Sequence, residues 1–219
     1  MATSDIEKIV ASWSLSGAST LNPGATSQEL RRVCRRLEKN FPDDFIALYE
    51  QCDGGDVLHG NIQLFPLDGE DLSVLRASAF LRRHDWPIPP ELIVFAGNGQ
   101  GESFGLWLPK DGNSPQFVIE VGAIFKDGSL SVTGTSLTGF LRGRSAYYLL
   151  LLESPPAALD ELCLPMEFRH GLNRSKLNDS GYEALIRWAN PDLPKHPISP
   201  YESRLTADDI RRLASQMNA

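Results

Sequence analysis

Residues Gly101-Glu102-Ser103-Phe104-Gly105 fit the G-x-S-x-G spacing with which hydrolases expose a nucleophilic serine. Gly97, Gly99 and Gly101 also resemble the glycines of a phosphate-cradling loop. A nucleophile elbow needs a strand before the serine and a helix directly after it. The strand is present as Leu92 to Ala96, but Ser103 is followed by a second strand, up to Leu108, and then by a Pro-Lys-Asp-Gly turn. His170 and His196 supply a triad partner only in the trivial sense that a chain of this length contains one. Dinucleotide and P-loop fingerprints place their glycines at a helix N-terminus, and the P-loop Lys-Ser/Thr is missing here. Ser103 therefore reads as a strand residue, and Gly97, Gly99 and Gly101 as a turn in a hairpin.

Other chemistry-bearing residues are sparse. His59, His84, His170 and His196 share no metal-ligand spacing with Cys34, Cys52, Cys163 or an acid, so no metal and no cofactor is expected. The acids are more informative. Between Asn40 and Leu75 there are eight acids and no Lys or Arg, directly after a basic run of Arg31, Arg32, Arg35, Arg36 and Lys39. Asp43 and Asp44 suit the positive end of a helix dipole, and Asp68, Glu70 and Asp71 surround a second helix start. Local structure leaves Glu50, Asp53 and Asp56 unexplained, with Asp53 and Asp56 flanking the Gly54-Gly55 turn. These three, with Glu102 of the glycine loop, are the candidate partner-binding residues, because loops on rigid elements commonly carry binding groups.

The whole chain bounds the partner. Its 219 residues carry a net charge of -7, which disfavours direct nucleic-acid binding. No apolar run is long enough for a membrane span, and MATSDIEKIV lacks a secretory signal, so a reduced, cytoplasmic protein is expected.

Periodicity supplies the elements that would position these residues. Residues 1–25, rich in Ser, Gly, Ala and Thr, read as a flexible leader. Thr26-Ser27-Gln28-Glu29 is a capping box, and Leu30, Val33, Cys34 and Leu37 follow at helical spacing. A second helix carries Phe45, Leu48, Tyr49 and Cys52, a strand covers Ile62 to Phe65, and a helix runs from about Asp71 to Arg83. The β pattern then takes over from Leu92 to Val132, with Lys126-Asp127-Gly128-Ser129 as a hairpin turn. Ser136 to Leu152 returns to helix. Residues 153–219 are a Pro-rich helical extension, expected to pack through Leu185, Ile186 and Leu213.

The order of motifs resembles the SUKH superfamily, the Smi/Knr-type domain, over residues 27–152. Phe41-Pro42-Asp43-Asp44-Phe45 with Asp53-Gly54-Gly55 matches its opening. Pro89-Pro90-Glu91-Leu92-Ile93-Val94-Phe95-Ala96 with Gly99-Gln100-Gly101-Glu102-Ser103-Phe104 matches its strand pair. Phe117-Val118-Ile119-Glu120 and Ser136-Leu137-Thr138-Gly139-Phe140-Leu141 match its late strand and closing helix. The chain departs at Phe41, where the pattern has Leu, at Gly139, where an acid is common, and in the extension after Glu153. The resemblance implies an α+β domain (26–152) with a curved, mainly antiparallel sheet flanked by helices and no catalytic constellation. It implies a protein-binding module: an immunity protein that neutralises a basic toxin domain, often a nuclease, or a regulator of the Smi/Knr type.

Overall fold

Polar caps set where the helices begin. In the computed structural model, which describes residues 4–69, 72–84, 88–108, 117–121, 130–171, 177–193 and 205–217, Ser4 and Glu7 form a reciprocal capping box on helix α1 (Asp5–Ser16). Thr26 and Glu29 do the same for α2 (Ser27–Leu37). The α1 helix corrects the flexible leader. Ile6, Ile9, Val10 and Trp13 recur at helical spacing, all are buried, and Gly17 ends the helix at φ 68°. A composition rich in small polar residues hid that stripe.

Among the described residues, seven strands form one antiparallel sheet in chain order: β1 (Thr20–Leu21), β2 (Gly55–Val57), β3 (Ile62–Leu64), β4 (Leu92–Gly97), β5 (Ser103–Trp107), β6 (Phe117–Val121) and β7 (Ser131–Gly134). The register shifts around Phe95, a bulge that bends β4 against β5. The fold class is α+β, with helices closing the C-terminal end. The Lys126–Ser129 turn read from the sequence lies outside the described residues.

Alternation along the strands gives the sheet two apolar faces. On the first, Val57, Ile62, Leu64, Phe95, Phe104 and Val118 pack beneath α1, α3 (Asp43–Gln51) and α5 (Leu137–Leu151). Trp13, Phe45, Tyr49 and Phe140 fill this core, and the Tyr49 hydroxyl donates to the Phe65 carbonyl at 2.9 Å. On the second, Leu92, Val94, Trp107, Phe117 and Val132 meet Ala77 and Leu81 of α4 (Val74–Arg83). The extension, which begins with α6 (Pro156–Glu161) and α7 (Met166–Gly171), joins both. Leu185 of α8 (Asp179–Ala189) enters the first core, while Ile186 and, from α9 (Ala207–Met217), Ile210 and Ala214 enter the second. Leu213 is half-buried against the second core.

Candidate functional site

The strand register lines up one row of residues across six strands. Thr20 faces Asp56, Asp56 faces Gln63, Gln63 faces Gly97, Gly97 faces Ser103, and Ser103 faces Val121. Direct cross-strand partners share a face, and this one is the second face, because Ile62, Leu64 and Phe104 beside the row point into the first core. Val121, at one end of the row, is buried in the second core. Toward the other end Asp56 and Thr20 are exposed and Gln63 is half-buried. The second core thus stops short of β1–β3.

Two clefts lie along this stretch and share Gln63. One, of about 260 Å³, is lined by Phe65, by Ala77, Phe80 and Leu81 of α4, and by the Gly97–Ser103 turn. Leu72 and Phe80 are 42% and 41% exposed beside it. The other, of about 430 Å³, is polar and includes Ser19, Thr20, Asp56 and His59.

The glycine turn that opens the first cleft is organised by Asn98. Its side-chain oxygen accepts the N–H groups of Gln100 and Glu102 at 2.9 and 3.1 Å, and its amide donates to the Glu102 carboxylate. Gly99 and Gly101 have φ of 70° and 108°, a region that glycine enters at no steric cost. Gly97 instead lies close to the opposing backbone: a Cβ there would lie 3.2 Å from the Glu102 carbonyl oxygen, a tight approach, and in ordinary contact with the Phe65 ring. Ser103 sits within an antiparallel ladder, half-buried, with no helix after it, and the cleft it lines has no histidine among the described residues. The elbow geometry is absent from the motif that suggested it.

The acidic candidates separate. The Asp53 carboxylate accepts the Leu67 N–H at 2.7 Å, and its main chain ties Pro23 and Asn22 to the same loop. Burial raises its pKa, the Leu67 bond lowers it, and the Glu29 and Asp68 carboxylates add to the rise. Glu50, on α3, and Asp56, on β2, are exposed, with no ion pair or side-chain hydrogen bond among the described residues. The basic face of α2 does not reach them: Arg32 and Arg36 each lie 3.5 Å from Asp68. Only Asp56 and Glu102 border the clefts.

Three features had no counterpart in the sequence reading. Leu58 and His59 both take left-handed φ, 53° and 58°, followed by Gly60 at 79°. The Ser19 hydroxyl accepts the Leu58 N–H at 3.0 Å, and the His59 N–H donates to the Ala18 carbonyl at 2.7 Å. The chain after α1 thus fixes a turn that a leucine would otherwise avoid. Phe80 and Leu72 were hidden by ordinary helical patterning. Glu120 and Arg144, each 4% exposed, form a buried polar cluster on the first face. The Arg144 guanidinium stacks 4.3 Å from the Phe104 ring centre and donates to the Tyr182 hydroxyl at 3.0 Å.

No group of three or more His, Cys, Asp or Glu among the described residues is arranged to hold a metal ion. Cys52 is buried, and burial, aided by the Asp53 carboxylate, pushes its thiol up to about 12, so it is not a nucleophile at neutral pH. No described helix is long and apolar enough to cross a membrane.

A comparison with curated proteins finds no match to the chain. The model of the SMI1 / KNR4 family (SUKH-1) matches residues 24–143, a span that holds β2 to β7, the glycine turn and the first half of α5. With more than half of its residues inside that match, the chain belongs to the SMI1 / KNR4 family (SUKH-1).

Proposed function

We propose that the protein is a non-catalytic binding module that acts in the cytoplasm as an immunity protein, occluding a basic toxin domain such as the nucleic-acid groove of a nuclease. The observation that carries this reading is the pair Glu50 and Asp56, exposed on the family domain and without internal ion pairs among the described residues. Carboxylates left unpaired at a surface are available to a cationic partner, and the attraction raises the association rate while remaining sensitive to salt. The family membership and the strand position of Ser103 support a binder over a hydrolase.

The test begins with the tagged chain purified from its own cells and mass spectrometry of what comes with it. A basic protein domain is expected. Asp56→Asn with Glu50→Gln should slow association with that domain and flatten the dependence of the rate on ionic strength. Recovery of only neutral or acidic regulatory proteins, or a rate and salt slope unchanged by both substitutions, would remove the toxin reading.

A further inference from the structure

Gln63 is the common wall of an apolar cleft and a polar one, so the two meet where, among the described residues, the second core stops and Asp56 and Thr20 are exposed. Their chemistry is unequal. The first offers the exposed rings and methyls of Phe80 and Leu72 over Phe65. The second offers Asp56 beside the hydroxyls of Ser19 and Thr20. Among the described residues that line the pair, the ionisable groups are Asp56, Glu102 and His59; none is a lysine or arginine. An apolar ligand alone would leave Asp56 unanswered, and a purely cationic one would leave Phe80 in water.

We infer that this double cleft is a docking groove for a short protein segment carrying one large apolar side chain close to a lysine or arginine. The apolar anchor seats against Phe65, Phe80 and Leu72. The cation meets Asp56, and Gln63 between them offers an amide to the segment's main chain. Each half has its own warrant: buried aromatic anchors dominate binding energy at protein interfaces, and an acid in a polar cleft selects for a cation. The turn at Leu58-His59-Gly60, held by Ser19 and Ala18, keeps the polar half preorganised. This inference rests on the protein-binding reading and specifies where it is realised.

The probe is a set of synthetic twelve-residue peptides, titrated into the full chain by fluorescence anisotropy. Each carries Trp or Ala at one position and Lys or Glu two to four residues away. Peptides with both Trp and Lys should bind about tenfold more tightly than those with Trp and Glu or with Ala and Lys. Phe80 and Asp56 are exposed, so Phe80→Ala and Asp56→Asn should both fold. Phe80→Ala should remove the preference for Trp, and Asp56→Asn the preference for Lys over Glu. Equal binding of all four peptide types, or preferences untouched by either substitution, would overturn the groove. So would a concentration-dependent dimer, seen by light scattering and abolished by Phe80→Ala, because it would assign the face to a second copy. If the copurified basic domain still binds in a manner that Glu50→Gln weakens and Phe80→Ala does not, the binder reading survives and the groove fails.

Discussion

The Asp53 carboxylate accepts the backbone N–H of Leu67 at 2.7 Å, spanning the loop from α3 to the chain beyond β3. One side chain thereby holds the two ends of the β2–β3 hairpin together, so the acid is committed to structure. Asp53→Ala removes the acceptor of a buried donor and should cost about 1–3 kcal/mol in urea unfolding. Asp53→Asn keeps an oxygen for Leu67 and relieves the repulsion from Glu29 and Asp68; it should stay within a few tenths of wild type. Asp56→Asn should leave the unfolding midpoint unchanged. A harmless Asp53→Ala would show that the Leu67 bond contributes nothing.

The indole N–H of Trp13 donates to the Ser145 hydroxyl at 2.7 Å in the first core, linking α1 to α5. Trp13→Phe should preserve most of the packing and orphan the serine, a cost of about 1–3 kcal/mol. Removal of residues 1–17 strips Ile6, Ile9 and Trp13 from the core, at about 1.5–3 kcal/mol for each side chain, and should lower the melting temperature well beyond the Trp13→Phe effect. A truncated chain that melted with wild type would return residues 1–17 to the status of a leader.

Much of this architecture is legible in the residues, for physical reasons that also explain what is not. The capping box at Thr26–Glu29, the stripe Phe45, Leu48, Tyr49 and the unbroken apolar run of β4 are local signals, and they read correctly. The N-terminal stripe Ile6, Ile9, Trp13 is equally local and was masked by Ser, Ala and Gly around it. The row from Asp56 to Ser103 is different. Alternation places Gln63 opposite in facing to Ile62 and Leu64, yet nothing local says that Gly97 will lie beside it, because register is a tertiary property. The same limit applies to Asp53, whose partner is 14 residues away, and to Phe80, whose helical spacing cannot tell a covered face from an open one.

Gly139 illustrates a departure from the family pattern that the extension explains. A Cβ at Gly139 would lie 2.8 Å from the Ala189 carbonyl oxygen, and one at Gly143 3.0–3.1 Å from Ile186. Helix α8 therefore rests directly on the backbone of α5 at two glycines one turn apart, and no acid fits at 139. Gly139→Ala should push α8 outward and destabilise by about 1–3 kcal/mol. Gly17→Ala, where the added carbon meets nothing within 4 Å but φ is 68°, should cost only the backbone term of about 1 kcal/mol. Equal costs at the two glycines would mean that α8 yields freely.

Glu120 and Arg144 make the last prediction. Burial pushes the Glu120 carboxyl up to about 7; the Arg144 guanidinium pulls against that rise and the Glu102 carboxylate adds to it. Arg144 stays charged: burial opposes its charge, but Tyr182, Tyr148 and Glu120 more than offset this. The folded carboxyl therefore titrates above its unfolded value of 4.5. Between pH 4.5 and 7 the folded state holds the extra proton, so stability falls as pH rises through that window. Other groups contribute their own slopes, and Glu120→Gln isolates this one, since the amide matches the protonated carboxyl in shape and cannot ionise. Thermal melts of the two proteins at pH 5 and pH 8 should show the variant gaining on wild type at the higher pH. Melting curves whose separation is the same at both values would mean that Glu120 is ionised in the folded state throughout, with Arg144 outweighing its burial.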